Sequence, residues 1–459
     1  MLFRSPGPRR DSRATIKDGR SDAELALRVK DRVLEGRYAG ALHSTSIAAV
    51  LKRAKMPSGN IAGDLRFTID REHPQRMTAD GQLKGEALDL ASLIGQPLRI
   101  ERIDLATDDV ALRVREATVD WAGQRVTLRG ELRRSDRGPV IDAQLESPVI
   151  NLDVLLPSEE KIAAEVRPKP VTGGEYAPSR MWPLPVTGRI AVRADSVQRG
   201  RYKIAPVAAT LMLEEQRAHL DLERADLCGI SLPLTLEATP QGYSASARIA
   251  AQKLQLEQTA HCLSGEHVEI TGLYDLTADI STQGELAVLR RNLKGTVHAD
   301  ARDGKVMKFA MLGNILSMGN VASLMGPDSP KLDDQGFPYR TLIVAGHFEG
   351  GRFIVDEGAF HSDAVGLAAN GWISTTDFSS RLTVLVAPFS RADQLVRNVP
   401  LVGYIIGGTF TSVPVGVSGD IRNPLVVPLG PRAVTSEVLG IFERTLKLPA
   451  KLITPLETK

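Results

Sequence analysis

The sequence lacks the features that mark the common classes of enzyme and nucleic-acid-binding protein. It contains no GxGxxG, GxxxxGK[ST], GxSxG or HExxH motif, so the phosphate-binding loops and the hydrolase and zinc sites that these motifs build are not predicted. Its 57 basic and 55 acidic residues are spread along the chain and leave a net charge of +2, which provides no basic face for nucleic acid. Aromatic residues make up only 5%, whereas 40 glycines and 27 prolines favour many short strands joined by turns.

The eight histidines are scattered and form no convincing site. His261, Cys262 and His267 come closest to a metal cluster, but a structural zinc site needs four ligands and no nearby residue completes the set. His347 and His361 are placed to meet Asp363 across adjacent strands, yet no nucleophile in a recognisable setting accompanies them. We therefore predict no enzymatic activity, no cofactor and no metal.

Cysteine is almost absent, and the N-terminus has no apolar core of the kind found in signal peptides. Cys228 and Cys262 form either one disulfide or two buried thiols, and the cellular compartment decides between these readings. Residues 1–22 are basic and polar, so no signal peptide is predicted. The chain is therefore cytosolic, translocated by another route, or the C-terminal part of a longer polypeptide.

The run from Asn398 to Gly419 lacks any charged residue and is long enough to cross a bilayer as a helix. Its composition argues against a helix, because Pro400 and Pro414 each remove a backbone donor and five glycines interrupt it. Valines at 413, 415 and 417 alternate as they do in strands. We expect terminal strands here.

Most of the chain has the alternating apolar and polar residues of strands with one apolar face and one wet face. Turn signals about every 12 to 16 residues predict an antiparallel meander without long crossovers. Three short repeats, GRYAGAL from Gly36, GNIAGDL from Gly59 and GQLKGEA from Gly81, indicate repeated strand units. Helical spacing is limited to residues 45–54, to 306–325 as two short helices, and to 435–448, which is either a packed terminal helix or a membrane-surface helix.

These patterns divide the chain into five predicted regions. They are a disordered basic N-terminus at 1–22, a first β segment at 23–156, a proline-rich loop or linker at 157–186, a second β segment at 187–300, and a C-terminal region at 301–459 that contains the helical hairpin and the terminal helix.

The second half of the chain resembles the C-terminal region of AsmA-like bacterial envelope proteins. The stretches that carry the resemblance run in order over about 240 residues. They are DLCGISLPL from Asp226, HCL from His261, GTVHADARDGKV from Gly295, LGNILSMGNVASLM from Leu312, GFPYRTLIVAG from Gly336, LTVLVAPF from Leu382, VPLVGYIIGGTFTSVPVGVSGDIRNPLVVPL from Val399 and GIFERTLKLP from Gly440. The first 180 residues match only in their glycine units and alternating strands.

The resemblance implies a mainly β fold, an elongated and twisted antiparallel sheet whose concave apolar face forms a groove, with a few short amphipathic helices. It also implies a periplasmic, membrane-associated cell-envelope protein that carries phospholipid between inner and outer membranes. Members of the family usually begin with a transmembrane anchor, so the resemblance implies that this chain is a partial one. In an oxidising periplasm, a disulfide between Cys228 and Cys262 becomes the favoured reading.

Candidate lipid-binding residues are the alternating apolar positions of these strands, each of which also suits ordinary sheet core. They are Val126, Leu128, Ile141, Leu145, Leu234, Leu236, Leu342, Val344, Phe353, Val355, Leu382, Val384, Val386, Val413, Val415 and Val417. Three helices are too few to cover so many apolar strand faces, which favours a lipid conduit. The alternative is a structural or assembly scaffold for outer-membrane biogenesis, with the apolar face covered by an envelope partner; a hydrolase of envelope lipid or glycan ranks last.

Overall fold

The chain has the mainly β fold that the sequence predicts, with a twisted sheet and few short helices. A computed structural model describes residues 10–30, 32–46, 58–70, 78–91, 97–136, 138–155, 183–265, 268–317, 336–388, 404–406, 410–430 and 435–441. The chain forms two compact units. Unit 1 comprises Met1–Ala225 and Glu237–Pro240, and unit 2 comprises Asp226–Leu236 and Gln241–Lys459.

Unit 1 is built on long strands joined by short connections. Its strands are β1 (Arg10–Lys17), β2 (Asp22–Lys30), β3 (Val33–His43), β4 (Asn60–Asp70), β5 (Thr78–Asp89), β6 (Leu98–Asp108), β7 (Ala111–Trp121), β8 (Gln124–Ser135), β9 (Gly138–Asn151), β10 (Thr187–Arg199), β11 (Tyr202–Glu214) and β12 (Arg217–Leu227), whose last two residues belong to unit 2. From β1 to β9 each strand pairs antiparallel with the next, as the predicted meander requires.

The meander is broken at one place, where β9 and β10 pair in parallel, with Ile141 opposite Gly188. The prediction of a wholly antiparallel sheet without crossovers is wrong at this point. The connection contains helix α1 (Leu152–Leu155) and the proline-rich stretch predicted as a linker, most of which lies outside the described residues. Parallel neighbours need a long connection to bring the chain back to the starting end, and this stretch supplies the length.

Unit 2 continues with antiparallel pairing. Its strands are β13 (Ile230–Ser231), β14 (Leu234–Thr239, which the division between units crosses), β15 (Gly242–Gln255), β16 (Val268–Ile270), β17 (Leu273–Gly284), β18 (Lys294–Phe309), β19 (Phe337–Glu349), β20 (Arg352–His361), β21 (Val365–Ser374), β22 (Ser379–Pro388), β23 (Tyr404–Ile406), β24 (Phe410–Asp420) and β25 (Leu425–Pro428). The ladder runs from β15 through β17 to β22 and then to β24 and β25. The described residues of the uncharged run thus lie in two strands, β23 and β24.

The helices agree with the prediction only in part. Residues 44–46 are helical and begin at Ser44, while the other residues of the predicted helix at 45–54 lie outside the described ones. The predicted helical region at 306–325 starts late, because β18 extends to Phe309 and helix α3 covers Ala310–Ser317; residues 318–325 are not described. The terminal helix, α4, is described at residues 436–441. Helix α2 (Leu256–Ser264) is not among the predicted helices.

Two predicted boundaries differ from the structure. Residues 1–22 are predicted to be disordered, but β1 occupies Arg10–Lys17 and pairs with β2, placing Ala14 opposite Leu25. Backbone pairing with an existing strand is sufficient to order this polar segment. The two units divide between residues 225 and 241, not at the predicted linker, because the parallel pairing of β9 with β10 joins the strands on either side of it.

Bulges keep the apolar residues in phase across the sheet. In β7, Val114 faces Gly130 and Ala117 faces Leu128, so Arg115 and Glu116 together occupy the space of one partner residue. In β20, Val355 faces Gly371 and Gly358 faces Ala369 around Asp356 and Glu357. An extra residue increases local twist and keeps both flanking apolar residues on one face. Two adjacent polar residues in an alternating strand are the sequence signal of such a bulge.

The glycine repeats place glycine opposite large apolar residues on one face of unit 1. Between β4 and β5, Gly81 faces Leu65 and Leu83 faces Gly63. Gly81 has φ +133°, and a Cβ built there would lie 2.0 Å from the backbone oxygen of Asp64. Only glycine fits this close approach, so the repeats allow the strands to bend sharply towards this face.

We expect Gly81→Ala to lower the free energy of unfolding of unit 1 by about 1–3 kcal/mol, because the methyl group forces strain on the β4–β5 ladder. Gly19→Ala is the matched control, since a Cβ at Gly19 has no neighbour within 4 Å; it should change stability by less than about 0.5 kcal/mol. Urea unfolding followed by circular dichroism measures both. Equal stability of the two variants would show that the close approach at Gly81 is unimportant.

Candidate functional site

One face of the unit 1 sheet is apolar from strand to strand. Cross-strand pairing joins its residues into rows that run from β3 to β11. One row is Leu42, Ile61, Gly85, Ile103, Ala117, Leu128, Leu145, Val192 and Ala209, and the next is Gly40, Gly63, Leu83, Leu105, Val114, Gly130, Ala143, Ile190 and Leu211. No polar side chain interrupts either row. We call this surface the open face.

The open face is not covered by a second layer within the described residues. Both clusters of buried apolar side chains that these residues form lie in unit 2. In unit 1 the fully buried apolar residues are alanines and Val207, which neighbouring strands alone can shield. The larger side chains of the two rows, such as Leu105 and Leu128, remain partly exposed. A sheet packed against helices or another sheet would bury them.

The opposite face of unit 1 is charged and solvated. Ion pairs lie across its strands, among them Lys84 Nζ with Asp104 Oδ2 at 3.5 Å and Arg129 with Glu116 at 3.0 Å. Most of these side chains are more than a third exposed, so each pair adds little to stability. These charged side chains keep this face in contact with water. The sheet is therefore two-sided, with one charged face and one apolar face.

The apolar face of unit 2 is closed at its C-terminal end. One cross-strand row runs through Leu276, Ala299, Val344, Gly358, Ala369, Val384 and Val415. Val344 is 36% exposed, whereas Val415 is fully buried. Leu312 and Ile315 of α3 are buried in the same core, and the side-chain amide of Asn314 donates to the carbonyl of Pro424 at 3.0 Å. Helix α3 therefore belongs to the core that closes this end.

The reverse face of the same strands carries a second core. Val438 and Ile441 of α4 are buried against Ala359, Ala368 and Leu385. The alternative of a membrane-surface helix is wrong for these two side chains, because they are already packed inside the protein. Phe442 and Leu446, which belong to the predicted helix at 435–448, lie outside the described side chains. Strands β20 to β22 are thus covered on both faces.

The candidate lipid-binding residues separate into two groups on this basis. Seven lie in the closed core of unit 2, where we assign them to packing and not to a ligand: Val355, Leu382, Val384, Val386, Val413, Val415 and Val417. The others remain partly or largely exposed: Val126, Leu128, Ile141, Leu145, Leu234, Leu236, Leu342, Val344 and Phe353. Leu128 pairs directly with Leu145 on the open face. Sequence reasoning missed Leu65, Leu83 and Leu105 of the same face, although the alternation of Leu65 and Leu83 with glycine was visible.

Helix α2 is fixed by the two cysteines. Cys228 and Cys262 form a disulfide, the pairing that the family resemblance favours. Thr259 Oγ1 donates to the carbonyl of Cys228 at 2.9 Å and lies 2.9 Å from the Tyr274 hydroxyl. Leu256 and Ala260 of α2 pack against the unit 2 core. Their i, i+4 spacing was the available helix signal.

The histidines that the structure describes form no catalytic arrangement. His347 pairs with Ile354 and His361 with Thr341, which places them six residues apart along β19. His347 Nδ1 lies 2.6 Å from Asp356 Oδ2, and Asp363 pairs with Arg340. Burial lowers the pKa of His361 below its ordinary value, Arg340 adds to this shift, and Asp363 opposes it. Within the described residues no three His, Cys, Asp or Glu side chains are grouped to hold a metal; His267 lies outside them.

No family model matches this chain, and no curated protein matches it. Within the described part of the chain, no helix is both long enough and apolar enough to cross a membrane. Function must therefore be inferred from the two-sided sheet itself.

The division into core and open face predicts different responses to a buried charge. Val384→Asp should lower the free energy of unfolding of unit 2 by about 3–5 kcal/mol, because the carboxylate finds no partner in the core. Leu128→Asp on the open face should cost roughly 1 kcal/mol. Urea unfolding followed by circular dichroism tests both. Similar losses at the two positions would mean that Leu128 is also core.

Proposed function

We propose that this chain is a non-enzymatic lipid-binding protein that holds acyl chains along the open face of unit 1. The observation that carries the proposal is the pair of apolar rows from β3 to β11, which have no described covering layer. A soluble protein rarely exposes so large a continuous apolar surface unless something binds it. Each methylene group that an acyl chain buries there contributes roughly 0.8 kcal/mol.

The dimensions of the open face favour lipid binding at many positions along the face over binding in a single pocket. Strands lie about 4.8 Å apart, so a row of nine strands from β3 to β11 extends about 38 Å along its curved surface. One leaflet of a bilayer has a hydrocarbon thickness of about 15 Å. A lipid thus occupies only part of the row. Since the rows contain no polar interruption, neighbouring positions bind an acyl chain about equally well and sliding along the row is favoured.

The two-sided sheet also separates the parts of a lipid. Acyl chains contact Leu105, Leu128 and their neighbours, while head groups stay in water at the edge of the face. The substrate class this favours is phospholipid, in agreement with the resemblance to AsmA-like proteins. We propose that the chain carries phospholipid between the inner and outer membranes of a bacterial envelope. The Cys228–Cys262 disulfide supports an oxidising compartment such as the periplasm.

A second candidate is a structural or assembly scaffold in outer-membrane biogenesis. The closed double core of unit 2 favours it, because strands covered on both faces offer no path for lipid. In that case the open face of unit 1 is an interface for an envelope protein. The two candidates predict different molecules in contact with the same residues.

Photocrosslinking at adjacent positions on opposite faces separates them. A photoreactive phenylalanine at Leu145 on the open face should crosslink phospholipid in cells, detected by mass spectrometry of the purified chain. The same residue at Gln144, which faces the other side, should not. The pair is matched because the two positions are neighbours in β9, and Val384 adds a control inside the core.

Protein adducts at Leu145 without lipid adducts would favour the scaffold. Equal lipid labelling at Leu145 and Gln144 would contradict binding on the open face. If Leu145 gives neither adduct, both candidates fail for this surface.

A further inference from the structure

Four connections at one end of the unit 2 strands form a continuous edge. They are residues 285–293, 350–351, 375–378 and 421–424. Thr375 links three of them, because its hydroxyl donates to the carbonyl of Arg290 at 2.9 Å and its backbone N–H donates to the carbonyl of Gly351 at 3.0 Å. The backbone N–H of Ile421 donates to the carbonyl of Phe378 at 3.1 Å. We call these connections, together with the adjoining Lys294 and Leu425, the turn edge.

The turn edge exposes three large apolar side chains. Leu286 is 51% exposed in the short 3-10 helix Leu286–Val288, and Phe378 is 49% exposed at the turn between β21 and β22. Leu425, the first residue of β25, is 65% exposed. Leu286 and Phe378 lie on hydrogen-bonded connections, and Leu425 lies in a strand paired with β24. The three side chains are therefore already held in place, and binding a surface requires little further ordering.

Positive charge accompanies the apolar residues. The segment from Glu285 to Lys294 has the sequence ELAVLRRNLK, with Arg290, Arg291 and Lys294 against one carboxylate. In the described part of the chain these three cations form no ion pair. Arg422 differs, because it pairs with Asp420 and lies over the Phe378 ring at 5.3 Å. Free cations beside exposed leucine and phenylalanine match an anionic bilayer surface, which offers phosphates above and hydrocarbon below.

We propose that the turn edge docks unit 2 onto the surface of an anionic phospholipid bilayer. Leu286, Phe378 and Leu425 enter the boundary between head groups and acyl chains, and Arg290, Arg291 and Lys294 bind the phosphates. Peripheral binding of this kind needs both an apolar and an electrostatic contribution to be stable. The proposal does not rest on lipid binding by the open face, since it uses other residues in the other unit.

Sedimentation of the full chain with vesicles tests the docking. Vesicles of phosphatidylcholine with or without phosphatidylglycerol provide the anionic and neutral surfaces. The unmodified chain should bind the anionic vesicles more tightly. The double variant L286D/F378D should weaken this binding about tenfold or more, and R290E/R291E should remove the preference for anionic vesicles.

Matched controls lie at the other end of the same strands. Leu273 at the start of β17 is 51% exposed, as Leu286 is, so Leu273→Asp is the control for the single variant Leu286→Asp and should leave binding unchanged. K253E/K305E makes the same charge change as R290E/R291E, away from the turn edge. Binding that survives the turn-edge variants, or falls equally in the controls, would overturn the proposal.

Two further readouts separate this proposal from its rivals. If sedimentation velocity without vesicles detects a dimer that L286D/F378D dissociates, the turn edge joins two copies of the chain and the bilayer assignment is wrong. Lipid crosslinking at Leu145 in the turn-edge variants reports on the open face independently. Retained crosslinking with lost vesicle binding in these variants supports docking at the turn edge. Vesicle binding by the unmodified chain without lipid crosslinking at Leu145 contradicts only the lipid-binding function.

Discussion

The period of two in a β-strand is the constraint on which this structure depends. Side chains alternate between faces, so a slip of one residue in the pairing of β7 with β8 would place Leu128 among the arginines of the wet face. The open face is continuous only because every ladder from β3 to β11 keeps this phase. Bulges at Arg115–Glu116 and Asp356–Glu357 preserve the phase where the sequence departs from strict alternation. Irregular positions in the sequence thus maintain a regular surface.

Whether an apolar face becomes core or binding surface depends on what packs against it. In unit 2, α3 and α4 bring Ile315 and Ile441 onto opposite sides of the strands and bury Val415 and Leu385. The same strand pattern in unit 1 has no such layer in its described residues, so leucines of similar character stay partly exposed. A few helical residues, and not the strands, therefore decide whether the apolar face is buried or partly exposed.

Local and long-range features of the fold differ in how far the sequence predicts them. Strands, turns and the apolar face were predictable, because alternation and glycine positions are local properties. Core and open-face positions could not be separated in the same way: Leu128 and Val384 have equivalent strand patterns, yet one is on the open face and the other in a core. The parallel pairing of β9 with β10 could not be predicted either, because no local signal at Ile141 or Gly188 specifies the partner strand. Helix α2 was missed because its nine residues carry few apolar positions.

The glycines that alternate with leucines in β4 and β5 shape the open face on which the proposed function depends. A strand face lined only by leucine and valine would be filled by its own side chains, whereas alternation of Leu65 and Leu83 with Gly81 and Gly63 leaves room between the large residues. The same glycines permit strands to approach and bend towards that side. The open face of unit 1 is therefore apolar and partly exposed, whereas the valine-rich strands β22 and β24 are buried in the core of unit 2. The strongest apolar runs in the sequence therefore form the core, while the weaker, glycine-rich repeats form part of the open face that we propose binds lipid.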